Sequence, residues 1–171
     1  MWTPADDTGT TSLDSPESLA HAAYDRLQPP TPVIVASPPG DQLVNLPTWL
    51  WIDQWKPVSA SASTPGASVA ATATPTSVTW TTGDGSTVTC VGPGTPYTVG
   101  IDPMSTSPDC GHVYRRSSAS MPGQTFPVTA TVHWTVTWSG AGQDGTFPDM
   151  TTTGSAGFRV AESQALNTSG G

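Results

Sequence analysis

The chain has 171 residues, a length typical of one domain with appendages and sufficient to close one hydrophobic core. Five Lys and Arg residues stand against thirteen Asp and Glu, so the formal net charge of -8 argues against nucleic acid and anionic lipid as partners. Charged residues make up only 11% of the chain, and Thr, Ser, Ala, Gly and Pro dominate. This composition favours short strands and turns over long helices.

No segment reaches the roughly eighteen apolar residues that a membrane-spanning helix needs, and the start at Met1 has no signal-peptide pattern. We expect an extracellular or cell-surface protein whose signal peptide or anchor was trimmed from this sequence, because the cysteines and composition fit an oxidising compartment. A cytoplasmic full-length protein is the alternative.

Residues 1–14 are polar without periodicity, which predicts a flexible arm. A short helix follows, with Ser15 as its N-cap and Pro16 at the first helical position. Its apolar residues recur at helical spacing until two prolines end the run. Residues 15–56 are thus predicted to hold this helix and an extended, strand-like segment that pack on the main domain.

The extended segment contains a strand with two apolar faces. Leu50 and Ile52 share one face, and Trp49 and Trp51 share the other. A strand of this kind is covered on both sides, and the N-terminal helix is a candidate for one cover.

Residues 57–162 have the pattern of an all-β sandwich, with short strands bounded by turn residues. The clearest strand is residues 126–138, where even-numbered residues are apolar and odd-numbered ones polar. Residues 139–154 are predicted to be a glycine-containing connection, and 163–171 a flexible tail. The other predicted strands are 58–63, 67–74, 77–82, 86–90 and a closing strand at Phe158 and Val160.

Cys90 and Cys110 bracket a long segment that has no secondary structure of its own. A bridge between them would close about twenty residues and contribute roughly 3 kcal/mol in the loop-entropy model. We predict a structural disulfide. Two reduced, buried thiols are the alternative, and a zinc site has little support because only His112 lies nearby.

Three segments carry a family resemblance. Trp80-Thr81-Thr82-Gly83-Asp84-Gly85-Ser86, then His112-Val113-Tyr114, then the strand from Phe126-Pro127-Val128 resemble the W-x-x-G-D-G-S, H-x-Y and strand motifs of PKD domains. The resemblance covers roughly residues 57–162 and implies an immunoglobulin-like β-sandwich, here with a short N-terminal helix and an extra N-terminal strand. The sequence departs from the PKD pattern in three places: Phe126-Pro127 stands where an aromatic-Thr pair is usual, the cysteine-bracketed loop is enlarged, and the final hairpin is extended. The whole resembles uncharacterised exported proteins of high-GC Gram-positive bacteria.

The motif residues have a physical role in folding. Glycines permit the backbone angles of a tight hairpin, an aspartate can hydrogen-bond the turn, and tryptophans supply core area. His112 and Tyr114 are expected to tie the following strand to that turn. The residues with this predicted structural role are Trp80, Gly83, Asp84, Gly85, His112, Tyr114 and Trp134. The alternative makes His112 and Asp84 a catalytic pair.

No nucleophile elbow, spaced carboxylate pair or metal-ligand motif occurs, so we predict no enzyme activity and no cofactor, with loop calcium left open. Trp49, Trp51 and Trp55 are the best candidates for a ligand surface, but core packing is the favoured interpretation for them. The expected function is a non-catalytic extracellular surface module for spacing, adhesion or protein assembly. Carbohydrate binding by exposed tryptophans is second and a secreted hydrolase third. Expected partners are a protein or polysaccharide at the cell surface.

Overall fold

The computed structural model describes residues 15–162, so the predicted arm 1–14 and tail 163–171 lie outside the described residues. The described chain has an all-β, sandwich-like fold, with about 52% strand, one short α-helix and several sheets. The predicted fold class is confirmed at this level.

The elements follow in chain order, with one helical turn of 3-10 type at Pro122–Gln124. They are α1 (Pro16–Arg26), β1 (Val33–Ser37), β2 (Gln42–Leu43), β3 (Pro47–Asp53), β4 (Val58–Thr64), β5 (Ala67–Thr81), β6 (Thr87–Val91), β7 (Gly111–Val113), β8 (Phe126–Gly140), β9 (Gln143–Phe158) and β10 (Val160–Ala161).

The chain divides into two units, and the first contains residues 15–30, 56–75 and 134–150. The helix α1 begins as predicted, because the Ser15 hydroxyl accepts the backbone N–H of Ser18 at 3.0 Å and caps it. Its apolar face is buried and packs against β4, which pairs antiparallel with the first half of β5. A covering role of α1 over β3 stays a prediction.

The second unit contains residues 31–55, 76–133 and 151–162. One sheet has the order β1-β3-β7, and β6 with parts of β5, β8 and β9 belongs to the sheet of order β4-β5-β8-β9, in which β6 pairs with β5. The short strands β2 and β10 pair in parallel. The largest buried side chains of this unit come from both sheets and their connections, among them Leu50, Val78, Trp80, Tyr114 and Phe126.

Strand β5 corrects one predicted boundary. The sequence pattern predicts two strands separated near Pro75, whereas Ala67–Thr81 is a single strand. Its pairing explains the difference: β4 pairs as far as Ala73, and β6 begins to pair at Ser77. Pro75, which has no N–H to donate, lies in the gap between these partners. The buried residues change there from odd to even numbers, as at a β-bulge.

The last hairpin contains one confirmed and one wrong prediction. In β8 every even-numbered residue from Phe126 to Trp138 is buried, as the alternation predicts. The prediction of a connection over 139–154 is wrong, because most of that segment belongs to β9. Strand β9 pairs with β8 at the end of the sheet order, and most of its residues are half-buried or exposed on both faces. Its sequence therefore lacks the alternation that reveals a strand.

Candidate functional site

The turn after β5 is connected to β7 by the side chains of the resemblance motif. Asp84 lies in the Gly83-Asp84-Gly85 turn, and its Oδ2 is 2.8 Å from Nε2 of His112. Because an ionised carboxylate only accepts hydrogen bonds, Nε2 is the protonated nitrogen of this pair. The other carboxylate oxygen accepts the Thr82 hydroxyl at 2.6 Å and the Ser86 N–H at 3.3 Å. Both carboxylate oxygens of Asp84 are thus engaged, one within the turn and the other by His112.

The environment of Asp84 favours its charged form. Burial alone would raise the pKa of the Asp84 carboxyl, but hydrogen bonds from Thr82 and His112, the charge of His112 and the Ser86 N–H together hold it below its usual value. Nearby, the Tyr114 hydroxyl donates to the Thr82 carbonyl at 2.9 Å. Burial, together with the Asp84 charge, raises the pKa of Tyr114 far above its ordinary value. The turn therefore holds an anionic carboxylate next to a neutral phenol.

An aromatic stack continues from this turn. The His112 ring meets Tyr114 edge-on at 4.6 Å, and Tyr114 stacks on Phe126 at 5.3 Å between ring centroids. Gly83 makes the arrangement possible, because its φ is +85° and a Cβ there would lie 2.7 Å from both the Phe126 Cβ and the Pro127 carbonyl oxygen. Only glycine fits that position without displacing β8.

Asp84 and His112 are residue types that serve as acid–base pairs in enzymes, so we asked whether a nucleophile lies beside them. His112, Thr48, Thr106 and Ser107 line part of a cleft of about 300 Å³. The Thr48 hydroxyl donates to Gln42, and the Ser107 hydroxyl donates to Asp109. In the described residues, no serine or threonine hydroxyl is hydrogen-bonded to the imidazole, and a nucleophile activated by this pair would need that contact.

The second candidate feature is the segment between the two cysteines. Cys90 and Cys110 form a disulfide with their Cα atoms 5.6 Å apart, which confirms the predicted bridge. It connects β6 to the residue preceding β7 and so joins the sheet that contains β6 to the sheet that contains β7. Disulfides of this kind are typical of oxidising, extracellular compartments. We call residues 92–109 the bridged loop.

The bridged loop has no helix or strand, yet contacts with β3 hold it at both ends. The Ile52 N–H donates to the Pro93 carbonyl at 2.8 Å, and the Leu50 N–H donates to the Cys110 carbonyl at 3.1 Å. Between these points the Trp49 indole N–H donates to the Ser105 carbonyl at 2.9 Å. The loop is therefore fixed along β3 rather than only closed by its disulfide.

Side chains within the bridged loop add further constraints. The Tyr97 hydroxyl donates to the Ile101 carbonyl, and the Tyr97 ring meets Trp49 edge-on at 5.3 Å. Asp102 accepts the Met104 N–H at 2.9 Å, and Asp109 accepts the Thr95 hydroxyl at 3.0 Å. Both loop carboxylates thus bond to the loop itself.

Large apolar side chains are exposed on and beside this ordered loop. Among residues 15–162 the exposed large hydrophobic residues are Val33, Val91, Val99 and Met104. Val99 is fully exposed and Met104 is 63% exposed within the bridged loop, and Val91, 84% exposed, precedes it directly. Exposed apolar side chains on a fixed loop are a feature of surfaces that bind a partner.

The three tryptophans proposed as a ligand surface do not form an exposed row. Trp49 is buried under the bridged loop, and Trp51 and Trp55 are half-buried. Trp80 and Trp134, expected in the core, are both buried.

Sequence reasoning missed Val99 and Met104 because isolated apolar residues in a Gly- and Pro-rich segment carry no periodicity. The cysteines that bracket them were the available signal.

In the part of the chain that the structure covers, no group of three or more His, Cys, Asp and Glu side chains gathers as metal ligands would. None of the helices described there is long and apolar enough to cross a membrane. Comparison with protein-family models, with curated proteins and with solved structures found no match for this chain.

Proposed function

We propose that this chain is a non-catalytic extracellular surface module that binds a protein partner through the bridged loop. The observation that carries the proposal is the exposure of Val99 and Met104 on a segment fixed by a disulfide and by β3, with the exposed Val91 directly before it. A loop ordered before binding loses less conformational entropy when a partner arrives. Adhesion or assembly is the corresponding biological role.

The assignment as non-catalytic is supported by the turn cluster. Asp84 and His112 bond to one another, and the remaining oxygen of Asp84 bonds to Thr82 and Ser86. These contacts give both residues a role in joining the turn to β7. A secreted hydrolase remains the third candidate, and assays with peptide, glycoside and ester substrates test it. Turnover abolished by His112→Ala or Asp84→Asn would replace our proposal with an enzymatic one.

We also propose that the domain is PKD-like and belongs to an exported bacterial protein. Support comes from the contacts among Asp84, His112 and Tyr114, because all three are motif residues of the sequence resemblance. The disulfide supports the extracellular location.

Binding of fluorescently labelled protein to cells of the producing organism tests the proposal. Val99→Asp and Met104→Asp place a charge where an apolar contact is proposed, so each is expected to weaken binding roughly tenfold or more. Val33→Asp is the matched control, because Val33 is 52% exposed and lies on β1 outside the bridged loop. The control is expected to bind like the unmodified protein.

The proposal fails if the unmodified protein binds and both loop variants bind equally well. Carbohydrate binding is the second candidate, supported by the half-buried indoles of Trp51 and Trp55. A polysaccharide pull-down in which Trp51→Ala and Trp55→Ala lose binding would favour it over a protein partner.

A further inference from the structure

A cavity of about 220 Å³ lies between the bridged loop and the residues around β1 and β3 in the second unit. Trp49 and Tyr97 contribute aromatic rings to its wall, and Leu46, Pro38 and Pro47 contribute aliphatic surface. Ser37 is a further lining residue. The proposed function uses the outer side of the loop and leaves this cavity without a role.

The two aromatic residues offer the cavity only their apolar surfaces. The Trp49 indole N–H is occupied by the Ser105 carbonyl, and the Tyr97 hydroxyl is occupied by the Ile101 carbonyl. The two rings stand at 86° to one another, so they form a corner in which a flat ring can stack on one and meet the edge of the other. A flat aromatic ligand fits this corner.

Ser37 is the one polar side chain of the lining residues whose hydrogen-bonding group is free. Ser37 pairs with Trp49 between β1 and β3, which places both side chains on the same face. It is only 8% exposed, and its hydroxyl makes no hydrogen bond to any described residue. The hydroxyl oxygen itself is not fully buried, so it is open to a hydrogen bond from a ligand hydroxyl.

We propose that this cavity binds a small neutral phenol, with its ring between Trp49 and Tyr97 and its hydroxyl on Ser37. None of the cavity-lining residues carries a charge, so a carboxylate or ammonium group on the ligand would be buried without a counter-ion. An apolar cavity of about 150 Å³ holds benzene, so a cavity somewhat larger fits a substituted phenyl ring. Para-cresol is the simplest probe with these features.

Titration of the whole protein with p-cresol and with toluene, followed by ligand-observed NMR, tests the proposal. Toluene has the same ring and methyl group without the hydroxyl. Ser37→Ala is expected to weaken p-cresol binding roughly three- to tenfold and to leave toluene binding unchanged. Equal p-cresol affinity in both proteins would overturn the assignment of Ser37. The site itself would be overturned if p-cresol showed no saturable binding up to about 10 mM. A dissociation constant of about 10 mM corresponds to a binding free energy of only ~3 kcal/mol.

Two filling variants locate the binding. Leu46→Trp fills the cavity from a half-buried position, and Pro103→Trp fills it from an exposed position on the loop. Both are expected to abolish p-cresol binding. Circular dichroism verifies that each is folded, and Pro103→Trp decides the outcome if Leu46→Trp is not. Retained binding in a folded filling variant would place the ligand elsewhere and contradict the proposal.

Discussion

Asp84 and His112 are 28 residues apart in the sequence, and their side chains meet at 2.8 Å. This contact joins the hairpin turn after β5 to β7, and the Tyr114 hydroxyl adds a second connection to the Thr82 carbonyl. The stability of the second unit is therefore expected to depend on the charge of Asp84.

Asp84→Asn tests that dependence. Because its pKa is lowered in the folded protein, Asp84 contributes stability that is fully present above its unfolded value, near 3.8, and is lost as pH falls through the folded pKa. We expect the variant to be about 2 kcal/mol less stable at pH 7, with a difference that shrinks below about pH 4. Urea unfolding from pH 7 to pH 2.5 measures both proteins. Parallel stability curves over that range would show that the Asp84 charge contributes nothing.

Two glycines of the same turn are predicted to differ. Gly83→Ala combines a left-handed backbone with a Cβ 2.7 Å from Phe126 and Pro127, and Gly85→Ala has a similar φ of +98° but open space around its Cβ. We expect a loss of about 3 kcal/mol or more at Gly83 and about 1 kcal/mol at Gly85. Thermal unfolding of the two variants gives the comparison. Equal losses would mean that the close approach of β8 to Gly83 is not a constraint.

The disulfide closes a sequence separation of 20 residues. Replacing both Cys90 and Cys110 by alanine is expected to lower the free energy of unfolding by about 3 kcal/mol, because the unfolded chain gains loop entropy. Chemical denaturation of the double variant measures this loss, with the reduced unmodified protein as its control. A loss under about 1 kcal/mol would indicate that the contacts of the loop with β3 suffice without the bridge.

Trp80 is fully buried, and its indole N–H makes no hydrogen bond to any described residue. Trp80→Ala is expected to cost about 3 to 5 kcal/mol because it leaves a large cavity. Trp80→Phe is expected to cost clearly less, since it keeps an aromatic ring and removes an unsatisfied donor. Equilibrium unfolding in guanidinium separates the two. A phenylalanine variant as unstable as the alanine variant would contradict this account of the indole.

Much of the second half of the fold follows from the sequence because β8 alternates strictly from Phe126 to Trp138. The contact between the GDG turn and the H-x-Y residues was also predicted, because His112 and Tyr114 were expected to connect the entry of the following strand to that turn. Strand β9 could not be predicted, because it is held by backbone hydrogen bonds and its side chains show no alternation of apolar and polar residues.

The surroundings of the candidate ligand surface were harder to predict than the fold. To predict whether Trp49 is exposed, one must know which residue covers it. That residue is Tyr97, which lies 48 positions later in the sequence. Contacts between a strand and a distant irregular loop have no periodicity, so they appear only in the structure. The same loop lines the cavity beside Ser37 and carries the exposed side chains of Val99 and Met104.

Hydrogen–deuterium exchange of the protein with and without cell-envelope material from the producing organism tests the central claim most directly. If the bridged loop is the binding surface, amides of residues 92–109 become protected on binding, and those of β8 (Phe126–Gly140), already paired within the sheet, do not change. Protection confined to other surfaces, with exchange in residues 92–109 unaltered, would contradict the proposal that this loop binds the partner.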